Sequence, residues 1–296
     1  MSLYHFEQSF AQDPTLSKRL FTLLDTVFSE FDFDISGLAE SARKLGAPWE
    51  TTSTPFVRFD DDITIAHVGV LEIPLRVMGE KLVVGGIHAV ATHPEYRRRG
   101  YYREIMTEML DYCDRRYKTL VLTTLQPELY TPFGFRVIEE HKFVAQCDAQ
   151  GNNDGLRLLD LSDKNDIKLL HRLLETRTPV SNIVGVLPQQ EKALFCINEA
   201  TRPLYYAEDL DAILCMEIGD AQLKLFDLVG SNIPTLDAIL ARVPQLIKEI
   251  VVYFSPDRLN ANFQAIPHVL DEAYLMVRGE FAAEGKKFML PRSARC

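Results

Sequence analysis

The sequence has 296 residues, of which 47% are hydrophobic and 25% charged, the proportions of a soluble globular protein with one large or two ordinary domains. Its formal net charge of −10 argues against general nucleic-acid binding, which requires a basic surface. No apolar run has the length of a membrane-spanning helix, and the first residues lack a signal-peptide pattern. We therefore expect a cytoplasmic protein that binds neither nucleic acid nor membrane. An acidic surface is compatible with a cationic substrate such as an amine.

The cysteines predict neither disulfides nor a metal site. They are five in number, widely dispersed and without a CxxC pair. This pattern is typical of reduced thiols in a cytoplasmic protein, and the spacing does not match that of metal ligands. We therefore expect no bound metal. The five residues are Cys113, Cys147, Cys196, Cys215 and Cys296.

The first ninety residues predict two helices followed by three strands. Apolar residues over 16–28 recur with the spacing of one helix face, and a break near Asp34 precedes a second short helix, Ser36–Lys44. The β-rich segments that follow are separated by turns at Asp60-Asp61-Asp62 and at Gly79-Glu80. The predicted strands are Thr54–Phe59, Ile63–Met78 and Lys81–Ala91.

Residues 100–116 return to a helical period, with apolar side chains on one face and charged ones opposite. An apolar strand, Thr119–Thr124, comes next, and a further strand is predicted over Arg136–Cys147. A strand, a helix and a second strand make a right-handed crossover unit. We therefore predict that Val83–Ala91 and Leu120–Thr124 are parallel neighbours.

The second half repeats the order of elements in the first half. Residues 149–155 are polar and contain glycine, which predicts a linker. The order of the later elements indicates an internal repeat, so we predict domains over residues 1–148 and 156–296. The elements are a helix at Asp163–Glu175, a hairpin of Asp211–Ile218 with Gln222–Val229, a helix over Leu236–Val243, and strands at Glu249–Phe254 and Ala273–Val277.

The segment that indicates a chemical function is the basic turn Arg97-Arg98-Arg99-Gly100, which lies between a predicted strand and a predicted helix. A helix N-terminus exposes unpaired N–H groups and the positive end of the helix dipole, and both favour phosphate. Glycine lets the backbone approach a phosphate closely, and arginines add charge-assisted hydrogen bonds. On these residues alone, a phosphate site and a solvated basic turn are both possible interpretations.

The same run resembles the coenzyme A motif of the GNAT superfamily of N-acetyltransferases, where Arg or Gln, two residues, Gly, one residue and Gly or Ala follow a strand. Tyr102 departs from this pattern, because a small residue is usual there. The Arg-Arg-Arg-Gly variant resembles the Eis-type branch, which acetylates amines including aminoglycosides. The resemblance implies that the pyrophosphate of acetyl-CoA lies over residues 97–102. The implied cofactor-binding residues are Val90, Ala91, Thr92, Arg97, Arg98, Arg99, Gly100, Tyr101, Tyr102, Leu125 and Gln126.

A second motif lies downstream at Leu129-Tyr130-Thr131-Pro132-Phe133-Gly134-Phe135. It resembles the family's Tyr, three residues, Gly-Phe signature, and it follows the basic turn at the family's usual spacing. The two motifs together imply an α+β fold of tandem GNAT-like domains. Each domain would hold a mixed, mostly antiparallel sheet with a central parallel pair flanked by helices.

The resemblance assigns roles in acyl transfer, which requires a neutral amine, a stabilised oxyanion and a proton for the departing thiolate. Tyr130 is the predicted proton donor, although its ring could instead simply pack beside Phe133 and Phe135. A backbone N–H near Val90 would polarise the thioester carbonyl. Many relatives carry a glutamate base on the cofactor-binding strand. Here His88 is the candidate base, because imidazole titrates near neutrality, although a histidine in a strand is commonly just packed.

The second half lacks the features of a cofactor site. Its hairpin is followed by Gly230-Ser231-Asn232-Ile233-Pro234, which contains no Arg or Lys. Ser231 or Asn232 could cap the next helix, with Pro234 in its first turn. We therefore expect a degenerate, non-catalytic GNAT-like domain and one CoA per chain.

The sequence leaves three functions open. The first is transfer of acetyl from acetyl-CoA to a primary amine of a small molecule or peptide, by direct attack on the thioester. The second is transfer of a different acyl group, and the third is a non-catalytic CoA-binding or small-molecule sensor. Self-association is possible. In Eis-type chains the terminal carboxylate enters the active site after a further C-terminal domain. This sequence is too short to contain that domain, so we expect no such part for Cys296.

Overall fold

The computed structural model describes residues 2–5, 14–29, 34–152, 155–188 and 191–296. Its helices are α1 (Pro14–Phe28), α2 (Ile35–Lys44), α3 (Tyr101–Cys113), α4 (Lys164–Thr176), α5 (Glu191–Asn198) and α6 (Leu236–Leu240). Its strands are β1 (Ser2–His5), β2 (Ser53–Asp60), β3 (Ile63–Val77), β4 (Glu80–Thr92), β5 (Thr119–Thr124), β6 (Arg136–Val137), β7 (His141–Ala149), β8 (Leu156–Leu158), β9 (Val184–Val186), β10 (Leu204–Ala207), β11 (Ala212–Gly219), β12 (Gln222–Gly230), β13 (Ile247–Val252), β14 (Gln264–Pro267) and β15 (Tyr274–Gly279). None of the described helices is long and apolar enough to cross a membrane.

The first sheet has the strand order β1-β2-β3-β4-β5-β15-β6, with β9 pairing to β3. All of its pairings are antiparallel except that of β4 with β5. In this parallel pair Gly85 lies opposite Leu120 and Gly86 opposite Val121. The predicted parallel neighbours are therefore confirmed.

The second sheet has the order β14-β7-β13-β12-β11-β10-β8. Its one parallel pair is β12 with β13, and the other pairings are antiparallel. The chain thus forms two mixed, mostly antiparallel sheets, each with a central parallel pair and flanking helices. This is the α+β fold class that the resemblance implied.

The two sheets exchange strands, which the sequence did not predict. The strand expected over Arg136–Cys147 is two strands, because the chain leaves the first sheet after β6 and enters the second as β7. Conversely, β15, which lies within the predicted second domain, pairs with β5 in the first sheet. At the crossing point Glu140 is buried, and its carboxylate accepts from Arg295 and from the backbone of Leu290. The division of the chain at residues 149–155 stays a prediction.

Helices cover both faces of the first sheet. Successive strand residues point to opposite faces, and on β2 Val57 packs with the apolar face of α1 while Phe56 packs with α3. The crossover helix α3 therefore lies on the face opposite α1. We refer to these as the α3 face and the α1 face. The apolar face predicted for α1 is confirmed by the burial of Leu20 and Leu24.

Candidate active site

The basic turn lies where sequence reasoning expected it, between β4 and α3. Arg97, Arg98 and Arg99 are all exposed, and Gly100 directly precedes the helix with a left-handed φ of 91°. No side chain caps α3, so its first N–H groups are not satisfied in the way that an Asp or Ser cap would satisfy them. A Cβ on Gly100 would meet no atom within 4 Å. Glycine is therefore favoured there by its conformation.

Neighbouring side chains hold the turn in shape. His93 accepts a hydrogen bond from the backbone of Glu95 at 3.3 Å and begins a short 3-10 turn, Pro94–Tyr96. The Tyr96 hydroxyl donates to Asp60 at 3.0 Å, and the guanidinium of Arg99 lies 5.1 Å from the centre of the Tyr96 ring. The arginines are thus presented from a fixed backbone, and Arg97 also donates from Nε to the backbone oxygen of Thr92 at 3.3 Å.

Strands β4 and β5 separate beyond the second residue pair of their parallel ladder. We refer to the gap between them as the wedge. The pairing of β4 with β5 ends at Gly86 and Val121, and the pairing of β4 with β3 shifts register after His88. Neither Ala89 nor Val90 has a partner in the described registers of β4. Ala89 also has a φ of +50°, which is uncommon for a residue with a Cβ. β4 therefore bulges where the resemblance implies that the pantetheine arm binds.

Cys296, for which the sequence predicted no part in the site, lies in this wedge. Its main-chain oxygen accepts hydrogen bonds from the backbone nitrogen of Thr123 at 2.8 Å and from the Thr123 hydroxyl at 2.7 Å. A Cβ on Gly86 would lie 2.8 Å from the Cys296 sulfur, so only glycine fits there without displacing the thiol. Burial raises the pKa of this thiol to about 12. It is therefore protonated at neutral pH and a poor nucleophile.

Tyr130 lies in the loop that follows β5. Its ring is buried among the aromatic residues of the α3 face, with ring centres 6.4 Å from Tyr102 and 6.2 Å from Phe135. Burial raises the pKa of Tyr130 to about 12, although a hydrogen bond from the Thr124 hydroxyl acts in the opposite direction. The phenol is therefore neutral at physiological pH and able to donate its proton.

Four further residues predicted to bind the cofactor are Tyr101, Tyr102, Leu125 and Gln126, and the Tyr102 ring lies beside that of Tyr130. Tyr102 donates from its hydroxyl to the backbone oxygen of Leu129 at 2.9 Å, and burial raises the pKa of Tyr102. Leu125 is 47% exposed, which does not fit the alternative that it is a core residue. Gln126 is exposed, and its backbone N–H donates to Thr124 at 3.0 Å. Tyr101 packs beneath Arg58.

His88 lies on the α1 face. Its register partner is Gly69, where a Cβ would come 2.2 Å from the ring nitrogen Nε2, and this nitrogen lies 2.8 Å from the hydroxyl of Ser53. Burial and, to a smaller extent, the nearby His67 lower the pKa of His88 to about 3. The imidazole is therefore neutral and weakly basic at physiological pH.

The structure thus brings most predicted site residues together at the ends of β4 and β5, and it adds groups that sequence reasoning missed. These are Thr123, Thr124, His67 and Cys296. Thr123 and Thr124 were assigned only to a strand, and no sequence signal connects them with Cys296 or Tyr130. Among the described residues, no group of three or more His, Cys, Asp or Glu side chains could hold a metal ion.

Comparisons with known proteins agree with this fold. Residues 13–138 match the family model described as an acetyltransferase (GNAT) domain. A search of curated proteins found no match. Among solved structures, Eis1 from Mycobacterium abscessus is 16% identical with a TM-score of 0.58, covering 94% of this chain and 74% of that protein.

Two further solved structures share the fold. A GCN5-related N-acetyltransferase from Anabaena variabilis is 16% identical with a TM-score of 0.55, covering 94% of this chain and 72% of its own. A candidate N-acyltransferase from Enterococcus faecalis V583 is 15% identical with a TM-score of 0.59, covering 95% and 74%. Residues 13–138 are therefore similar to an acetyltransferase (GNAT) domain, within a two-sheet chain whose overall fold is shared with Eis1.

Proposed function

We propose that the protein is an N-acetyltransferase, which moves the acetyl group of acetyl-CoA to a primary amine of a small molecule or peptide. The observation that carries the proposal is the uncapped N-terminus of α3, which directly follows three exposed arginines and Gly100. Backbone N–H groups, the helix dipole and guanidinium groups converge there, and all three favour a pyrophosphate. The cofactor would lie over residues 97–102, with its pantetheine arm along Val90-Ala91-Thr92.

The wedge between β4 and β5 supports direct attack of the amine on the thioester. A bulged strand leaves backbone groups near Val90 outside the sheet ladder, where a carbonyl oxygen could accept from them. Tyr130, with its neutral phenol, would protonate the departing thiolate from the α3 face. The amine would approach from the α1 face, which carries His88 and Ser53.

The proposed general base is His88 on β4. His88 remains our proposal because it is the titratable side chain of β4 on the amine's side of the wedge. However, a pKa of about 3 makes it a poor acceptor for the proton of an alkylammonium ion. We therefore propose that the amine binds in its neutral form and that His88 accepts a proton only after the bond to the acetyl carbon has begun to form.

We further propose that residues 156–296 belong to a degenerate, non-catalytic domain, separated by the 149–155 linker from a catalytic domain at 1–148. The turn after β12 carries no basic residue, and the helix behind it is already capped. Thr235 accepts from the backbone of Ala238 at 3.3 Å, and α6 has only five residues. The prediction that Ser231 or Asn232 caps this helix is therefore wrong, because Thr235 is the cap. The start of the helix is nevertheless capped by a residue of the chain itself, as predicted.

A titration and a turnover assay together test the proposed function. Calorimetry with acetyl-CoA should detect binding, and a thiol-reactive dye should detect free CoA when primary amines are added. Binding without thiol release across an amine panel would instead favour the sensor. Faster release from a longer acyl-CoA would favour a different acyl group, because a pyrophosphate site does not distinguish acyl chains. Failure of acetyl-CoA and CoA to bind would refute the proposal. Cytoplasmic location and self-association remain predictions.

A further inference from the structure

His67 is a buried histidine on β3 that the reaction scheme above does not use. It is completely buried, and its Nδ1 atom lies 2.7 Å from the backbone oxygen of Ala89. A carbonyl oxygen can only accept, so Nδ1 carries the proton and donates it. Burial lowers the pKa of His67 to about 4. The ring is therefore neutral at physiological pH, with its one N–H directed at Ala89.

The acceptor of this bond belongs to the bulge in β4. Ala89 has the left-handed φ of +50°, and neither Ala89 nor Val90 pairs in the described registers of the strand. The printed registers therefore assign no ladder position to the peptide between these two residues. The hydrogen bond from His67 to the Ala89 oxygen is a described contact that orients this peptide.

The orientation follows from peptide geometry. His67 pairs with Val57 and, like it, points to the α1 face, so the Ala89 oxygen is drawn toward that face. No described peptide bond is cis, and in a trans peptide the C=O and N–H groups point in opposite directions. The N–H of Val90 is therefore directed toward the α3 face, where Tyr130 lies.

We propose that His67 is a positioning residue: its bond to the Ala89 oxygen holds the Val90 N–H toward the carbonyl oxygen of a bound acyl thioester. This inference rests on the proposed function. Without the bond, Ala89 would relax toward the negative φ that residues with a Cβ favour, and the N–H would turn away. The thioester would then lose a donor whose hydrogen bond strengthens as the carbonyl oxygen gains negative charge.

Two substitutions separate positioning from simple packing. His67→Leu fills much of the same space but has no donor. His67→Asn is smaller but can place an amide N–H near the position of Nδ1. If His67 only fills the core, leucine should be tolerated at least as well as asparagine. If it positions the peptide, asparagine should retain function and leucine should not.

The experiment uses isotope-edited infrared spectroscopy of acetyl-CoA labelled with ¹³C at the carbonyl, bound to the full-length protein. A hydrogen bond lowers the carbonyl stretching frequency relative to free acetyl-CoA. We expect this shift in wild type and in His67→Asn, and its loss in His67→Leu. Turnover of His67→Leu should fall by about 10²-fold, in line with loss of one oxyanion donor. The affinity for CoA, which has no acyl carbonyl, should change by less than about threefold.

The outcomes distinguish this inference from the function on which it rests. If neither acetyl-CoA nor CoA binds wild type, the proposed function fails. If both bind but the carbonyl shift survives in a folded His67→Leu, the positioning role is overturned. If His67→Leu does not fold, His67→Asn decides: loss of the shift in that folded variant also overturns the inference.

Discussion

Thr123 donates two hydrogen bonds to the main-chain oxygen of Cys296, one from its backbone and one from its hydroxyl. These bonds occupy the position that a continued parallel ladder between β4 and β5 would fill. Residues 290–296 therefore help to keep the two strands apart at the proposed thioester site. The segment is anchored by β12 and α5, because Ser293 donates to the buried Asp227 and Asn198 donates to the backbone of Arg295.

The first prediction concerns the buried ion pair that fixes this segment. Both side chains of Glu140 and Arg295 are almost fully buried, with N–O distances of 2.9 and 3.0 Å. Glu140→Gln leaves the guanidinium without its counter-charge and should lower the free energy of unfolding by about 3–5 kcal/mol. Turnover should fall as well, because Cys296 would no longer be held in the wedge.

The adjacent Glu139 provides a matched control for this substitution. Its side chain is 73% exposed, so Glu139→Gln should change stability by less than about 0.5 kcal/mol. Urea unfolding of the two variants and wild type makes the comparison. Equal stability of Glu140→Gln and Glu139→Gln would show that the pair does not anchor the segment.

The second prediction tests the pyrophosphate site. Gly100→Asp would place a negative charge where the phosphates are expected and should weaken CoA binding at least tenfold, an effect of about 1.4 kcal/mol or more. Gly100→Asn imposes the same left-handed strain without the charge, so it should bind CoA more tightly than the aspartate variant. Gly79→Asp tests the effect of strain elsewhere, since Gly79 has a φ of +87° in open space. Unaltered CoA affinity in Gly100→Asp would place the site elsewhere.

The third prediction concerns the proton for the leaving thiolate. Tyr130→Phe preserves the packing against Phe135 and removes only the hydroxyl, so turnover should fall by about 10²-fold or more with CoA affinity little changed. Thr124→Val, which removes the hydrogen bond to the phenol, should have a smaller effect in the same direction. Tyr117→Phe is the control, because the Tyr117 hydroxyl donates to Glu72 outside the proposed site. Pre-steady-state kinetics would separate the chemical step from product release, and a normal chemical step would reduce Tyr130 to a packing residue.

The contrast between β5 and β15 shows what could be predicted from sequence. β5 was predicted with its observed bounds, because its apolar run and the preceding helix are adjacent in the chain. β15 was also predicted as a strand, but its partner was not, since alternation of side chains does not depend on which sheet receives them. The turn proposed to bind the cofactor could be predicted because its motif residues are consecutive in the sequence. The links from Thr123 to Cys296 and from His67 to Ala89 join distant or separately assigned segments and required the structure.

The fourth prediction is a loss of stability in acid that His67 causes. Its pKa falls from an ordinary 6.5 to about 4 in the folded protein, so between these values the unfolded chain binds more protons. Stability therefore decreases as pH falls from about 6.5 toward 4, by up to about 1.4 kcal/mol per pH unit. His88, whose pKa is also lowered, acts in the same direction. Unfolding free energies at pH 7.5 and 5 should differ less in His67→Asn than in wild type, and an equal difference would contradict the assignment.

The last prediction is that each chain binds one CoA. Each of the two sheets contains one parallel pair in the described residues, but of the two first strands only β4 leads into three arginines and an uncapped thirteen-residue helix. After β12 the chain contains no Arg or Lys before Thr235, whose hydroxyl already accepts from the first turn of α6. The rings of Phe226 and Tyr253 also stack at a centre distance of 4.9 Å, directly beyond the last paired residues of β12 and β13. Calorimetric titration should therefore give one site per chain in wild type and greatly weakened binding in Gly100→Asp. Two sites in wild type, or one undiminished site in Gly100→Asp, would mean that the second sheet binds the cofactor despite its capped helix and missing cations.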